Sequence, residues 1–119
     1  MSRKIDITGR TFEFALEILK LADELSKGSS SARFLSNQLL RAGTSIGANV
    51  EEAQAAESKA DFIHKYKIAL KEARETKYWL RLLIASNIAK KTNLASLVKE
   101  SDELCRIIAQ ITINARRKK

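Results

Sequence analysis

The stretch "LLRAGTSIGANVEEAQ", Leu39 to Gln54, sets two glycines, a Thr-Ser pair and an asparagine inside what otherwise reads as one helix. Three readings compete: a phosphate-cradling loop, a break between helices, or a helix whose small residues have a use. A Walker-type loop needs Lys then Ser or Thr after its second glycine, and a strand ahead of it. Here Ala48 and Asn49 follow Gly47, and no strand pattern precedes them. A break would disturb the apolar register. Instead Leu35, Leu39, Ala42, Ile46, Val50 and Ala53 keep one face in step through both glycines. The helix continues. Each interior glycine costs about 1 kcal/mol relative to alanine, so the pair should return something. At about 100° per residue, Gly43 and Gly47 share one flank of the apolar face. That spacing predicts close packing against a neighbouring helix.

The rest of the 119-residue chain agrees with helix. It has no proline, four glycines and 45% hydrophobic residues, enough for a single domain with a real core. The one cysteine, Cys105, excludes an internal disulfide and suits a reduced, cytoplasmic setting. "MSRKIDITGR" lacks the apolar core of a signal peptide, and "LLIA" after Arg81 is far too short to span a bilayer. A soluble intracellular protein with no membrane role is expected.

Four helices are predicted, at about 11–26, 33–56, 58–85 and 93–116. The first carries Phe12, Ala15, Leu16, Leu19 and Ala22 on one stripe, with Phe14, Ile18, Leu21 and Leu25 beside it. So wide an apolar face predicts a core helix. "SKGSSSA", Ser26 to Ala32, reads as a loop with Gly28 as the helix stop. Ser58 and Asp61 form a capping box with Asp in the Glu position. The third helix then repeats in Phe62, Tyr66, Ala69, Ala73, Thr76, Leu80 and Leu83. After the connector "SNIAKKTN" the fourth, opening at Asn93, repeats in Leu94, Leu97, Ser101, Leu104, Ile108, Ile111 and Ala115. Steps of three and four with short connectors predict an all-α, antiparallel up-down-up-down four-helix bundle.

Gln38, Arg41, Ser45, Asn49 and Glu52 line the other flank of the second helix. Ile68, Glu72, Glu75, Trp79 and Leu82 make a comparable flank on the third. Either Gln38, Arg41, Ser45, Asn49, Glu52, Glu72, Glu75 and Trp79 form a polar network between helices, or they mark a surface where subunits meet. Catalysis is a third reading, resting on Glu52, Glu72 and Glu75 as possible acid/base groups. Asp61 and His64 have an acidic-x-x-His spacing, but a di-iron bundle needs two such motifs and the chain has one histidine. No metal or other cofactor is expected, and His64 reads as a surface residue. Helical nucleases of the HEPN class place an arginine with four to six residues between it and the catalytic histidine. Glu57, Ser58 and Lys59 hold those places here, against that reading. Cys105 falls on the core side of the fourth helix and reads as a small hydrophobe.

The formal charge is +8, from 22 basic and 14 acidic residues. Residues 58–85 carry seven basic against three acidic, and residues 86–119 eight against three, so the excess lies in the second half. A basic balance points to a polyanionic partner. Lys67, Lys71, Arg74, Tyr78 and Arg81 recur at steps of four and three, opposite the apolar stripe of the third helix. They read either as a solvated face or as a ridge that follows a phosphate backbone, with an aromatic to stack a base. Arg116, Arg117, Lys118 and Lys119 add a cationic tail.

"FEFALEILKLADEL" and "QLLRAGTSIGANVEEAQAAESKADFIHKYKIALKEARETKYWL", in that order, resemble a bacterial family of four-helix bundles. The family was first noticed as products of intervening sequences in 23S rRNA genes. The resemblance spans nearly the whole chain and thins after Leu83. Gln38, Arg41, Thr44, Ser45, Asn49, Glu52, Ala53, Phe62, Ala69, Glu72, Glu75, Trp79 and Leu80 carry it. It implies an up-down bundle assembling into ring-like homopentamers, with no enzymatic activity. It also implies kinship in fold with the accessory variability determinant of diversity-generating retroelements, and so nucleic acid (RNA or DNA) and a reverse transcriptase as partners. The expected function is an oligomeric, non-enzymatic nucleic-acid-binding accessory protein. The alternative is a protein–protein scaffold whose basic face is only solvated.

Overall fold

Short polar side chains set where the first three helices begin. In the computed structural model, which describes residues 6–89 and 94–118, Asp6 accepts a hydrogen bond from Gly9 N–H at 2.9 Å and α1 runs Ile7–Leu25. Ser29 accepts from Ala32 N–H at 3.2 Å and opens α2, Ser30–Gln54. Ser58 accepts from Asp61 N–H at 3.0 Å and opens α3, Lys59–Ser86. Such caps satisfy backbone donors that the first turn leaves unpaired. α1 and α2 therefore start before the expected Thr11 and Arg33, because the capping side chains lie upstream of the apolar pattern. The capping box closes on one side only: Asp61 accepts from Glu57 N–H at 3.4 Å, not from Ser58. Asn87 ends α3 in the left-handed region at φ 59°, a conformation asparagine tolerates better than most residues. α4 spans Leu94–Arg117. Its expected opening at Asn93, within the connector, lies outside the described residues.

The glycine-bearing stretch is unbroken α-helix. α1 packs antiparallel on α2, α2 on α3 and α3 on α4, while α1 and α4 meet over a short stretch only. The result is an all-α, up-down-up-down four-helix bundle flattened to 50 × 34 × 20 Å. Leu35, Leu39, Ala42, Ile46, Val50 and Ala53 are all buried, as the period requires. Tyr66, Ala69, Ala73, Leu80 and Leu83 of α3 meet them, with Leu94, Leu104 and Ile108 of α4 completing the core. Buried hydroxyls are satisfied at home. Thr11, Thr76 and Thr112 donate to carbonyls one turn back on their own helices, and Ser36 donates to Ala22 O at 2.7 Å across α1 and α2.

The wide apolar face of α1 is only half used. Phe14, Ile18, Leu21 and Leu25 are buried, but Phe12, Leu16 and Leu19 are 62%, 37% and 46% exposed. The helix has α2 along one side and touches α4 only briefly. Among the described residues no element covers Phe12, Leu16 and Leu19.

Candidate nucleic-acid interface

The ridge on α3 is set by helical spacing. Lys67, Lys71, Arg74, Tyr78 and Arg81 are all exposed, while Ala69, Ala73, Thr76 and Leu80 of the same helix are buried. At 1.5 Å per residue the ridge is about 21 Å long. Among the described residues no carboxylate comes within 4.0 Å of its four cations. Lys77, on the α4 side of the helix, instead pairs with Asp102 at 2.7 Å. That ammonium, foremost, holds the Asp102 carboxyl below its ordinary value. Tyr78 is 54% exposed and meets the Trp79 ring edge-on at 5.1 Å between centroids. Trp79 in turn meets Phe34 edge-on at 5.7 Å. The aromatic of the ridge is thus braced by two others. Arg116, Arg117 and Lys118 are exposed at the far end of α4; Lys119 lies outside the described residues.

The polar flanks divide by height along the helices. Arg41 donates to Glu75, to Glu72 at 3.5 Å and to Gln38 at 3.3 Å, while Trp79 Nε1 donates to Glu75 at 3.1 Å. Those five residues form one cluster between α2 and α3. Ser45 donates to Arg41 O and Asn49 to Ser45 O, both on their own helix. Glu52 accepts from Lys65 Nζ at 2.8 Å, an ion pair that raises the lysine. Of the two expected readings, a network between helices or a surface where subunits meet, the network within one subunit is reduced to a cluster, two backbone-bonded side chains and a separate ion pair. Asn49 and Glu52 lie about 12 and 16 Å along the axis from Arg41, beyond reach. The cluster is also half wet, since the Arg41 side chain is 51% exposed. Glu52 is not brought to Glu72 and Glu75.

The opposite flank of α2 is tight. A Cβ at Gly43 would lie 2.8 Å from Ile18 Cγ2, and one at Gly47 3.2 Å from Thr11 Oγ1. α1 occupies the space those side chains would need. α1 and α4 are tied where they meet by Arg10, which donates to Glu100 at 2.6 Å and to Glu103 at 2.9 Å. Glu100 chiefly, then Glu103, raises the guanidinium above its ordinary value.

His64 is exposed, and Cys105 is half-buried, with burial pushing its thiol up. Among the described residues no three His, Cys, Asp or Glu side chains gather as a metal site would require. No described helix is long and apolar enough to cross a membrane. One feature escapes sequence reasoning. Where the end of α2, the start of α3 and the end of α4 meet, a cavity of about 620 Å³ opens between Phe62, Ile111 and Lys118. Its lining comes from two stretches far apart in sequence, Ala53 to Phe62 across the α2–α3 turn and Ile111 to Lys118 at the end of α4, so no local pattern marks it.

Fold and faces together define a class: a small antiparallel four-helix bundle with a cationic ridge on one helix and an uncovered apolar stripe on another. The chain belongs to the family of 23S rRNA-intervening sequence proteins, which it matches over residues 3–110. It is similar to a protein of unknown function from the S23 ribosomal protein family of Bacteroides thetaiotaomicron VPI-5482, at 41% sequence identity. That match covers 90% of this chain and 98% of the other, with a TM-score of 0.81. No curated protein matches the chain.

Proposed function

We propose that the protein is a non-enzymatic, self-associating accessory protein of the cytoplasm that binds RNA along the α3 ridge. The observation carrying this reading is the row of Lys67, Lys71, Arg74 and Arg81, without carboxylate partners among the described residues, around the half-exposed Tyr78. Unneutralised cations in line attract phosphates, and binding releases counterions. Each phosphate contact on a single strand adds about −0.7 to the slope of log K against log salt. Lys71→Ala with Arg74→Ala should therefore flatten that slope in filter binding. Tyr78→Ala should cost about 1–3 kcal/mol with the slope unchanged. Equal binding by the double variant, together with loss of binding on deleting residues 116–119, would overturn the ridge assignment.

Self-association is supported by the uncovered Phe12, Leu16 and Leu19 on α1, and the family resemblance suggests a homopentamer. Leu16→Glu with Leu19→Glu should then lower the mass seen in sedimentation without unfolding the subunit. The same stripe favours the second reading, a protein–protein scaffold. Absence of RNA binding even at low salt would select it.

A further inference from the structure

The open end of the bundle has the size and chemistry of a ligand site, about 620 Å³ within the range of pockets that take small molecules. We propose that it holds one nucleoside monophosphate unit, the base on Phe62 and the phosphate between Lys59 and Lys118. This rests on the nucleic-acid reading but uses a surface separate from the ridge.

The floor is apolar, formed by Phe62 and Ile111, both half-buried and packed against the core. The Phe62 ring is held against Tyr66, with centroids 4.7 Å apart and planes tilted by 45°. A fixed aromatic face stacks any base. Two amides at the wall supply opposite hydrogen-bonding roles. Gln54 Nε2 spends its hydrogens on Val50 O and Tyr66 Oη, both at 3.0 Å. Its Oε1 has no donor among the described residues. Asn114 Oδ1 accepts from Gln110 at 2.9 Å, which leaves the Asn114 amide hydrogens available. One acceptor beside one donor matches the alternating edge of an unpaired base.

The charge fits a phosphate. The lining holds two lysines and no carboxylate. Lys59 Nζ is anchored by Lys118 O and by Arg116 O at 3.4 Å, which holds a cation over the mouth at the root of the basic tail. An ammonium has three donors, so one hydrogen remains for a ligand oxygen.

Calorimetry of the full chain at low salt, with AMP, adenosine and inorganic phosphate as probes, tests the site. AMP should bind at least tenfold more tightly than either adenosine or phosphate. Asn114→Ala and Lys118→Ala, both at exposed positions, should each weaken AMP about tenfold while leaving the melting temperature unchanged. Phe62→Leu should weaken AMP and adenosine alike. Lys71→Ala with Arg74→Ala should leave AMP binding intact, so failure of the ridge and failure of this site are distinguishable. A short RNA with a 5′-phosphate, compared with its 5′-hydroxyl form and with AMP, assigns the source. Tighter binding of the phosphorylated RNA identifies a strand end, and tighter binding of AMP a free nucleotide; both uphold the site. AMP binding no tighter than inorganic phosphate, or unchanged in both the Asn114 and Lys118 variants, overturns it.

Discussion

The two edges of α2 are built on opposite principles. On the α1 side Gly43 and Gly47 leave no room, and the contact is backbone against side chain with Ile18 and Thr11. On the α3 side Arg41 reaches across to Glu72 and Glu75 through water-accessible space. The first edge derives its strength from shape, which cannot be adjusted by solvent. The second derives it from charge, which water and salt screen. An edge of the first kind should be intolerant of change, and one of the second kind forgiving.

The largest effect should come from Gly43→Leu. Ile18 is fully buried and cannot swing aside, so overpacking should cost about 3 kcal/mol in urea denaturation. Ala48→Leu, on the exposed side of the same helix, should stay within about 0.5 kcal/mol. Equal losses for the two would show that the α1 edge is not tight. The alanine pair sharpens the comparison. Gly43→Ala meets carbon at 2.8 and 2.9 Å and should lose about 1–2 kcal/mol. Gly47→Ala meets Thr11 at 3.2–3.3 Å, and a helix-propensity gain of about 0.5–1 kcal/mol should roughly cancel the strain.

The charged edge should yield less. A double-mutant cycle on Arg41 and Glu75 should give a coupling of about 0.2–1 kcal/mol, the range for exposed pairs. A buried charge stranded by truncation would cost about 3–5 kcal/mol, and a value that large would place the cluster in a dry interface between subunits. The smallest effect concerns acid. Asp102 titrates below its ordinary 3.8 because Lys77 donates to it. A carboxyl depressed on folding stabilises above its unfolded value and loses that contribution as pH falls through the folded one. Asp102→Asn should therefore flatten the decline in melting temperature below about pH 4, with the neutral-pH value slightly lowered.

Much of this was legible because it follows a period. The core face of α2 and the exposure of the α3 ridge both come from turning about 100° per residue. The same rule groups side chains by angle and is silent about height, so Asn49 and Glu52 look like partners of Arg41 and are not. Angle also cannot distinguish an apolar stripe that meets a neighbour from one left bare, so Phe12, Leu16 and Leu19 read as core. The starts of α1 and α2 were missed because Asp6 and Ser29 cap from polar segments with no apolar rhythm, whereas Ser58 was legible as the cap of α3. The cavity beside Phe62 exists only after three helix ends converge.

The short meeting of α1 with α4 bears on how fast the chain finds its fold. Every extensive helix contact joins elements adjacent in sequence, so each can form as a hairpin before the next is made. Among the described residues, the side-chain tie that joins α1 to α4 is the one from Arg10 to Glu100 and Glu103. Topologies dominated by local contacts fold in microseconds to milliseconds, since little loop entropy is lost before contacts reward it. Closure at Arg10 then belongs to the end of folding, and Arg10→Ala should speed unfolding while leaving the folding rate almost unchanged.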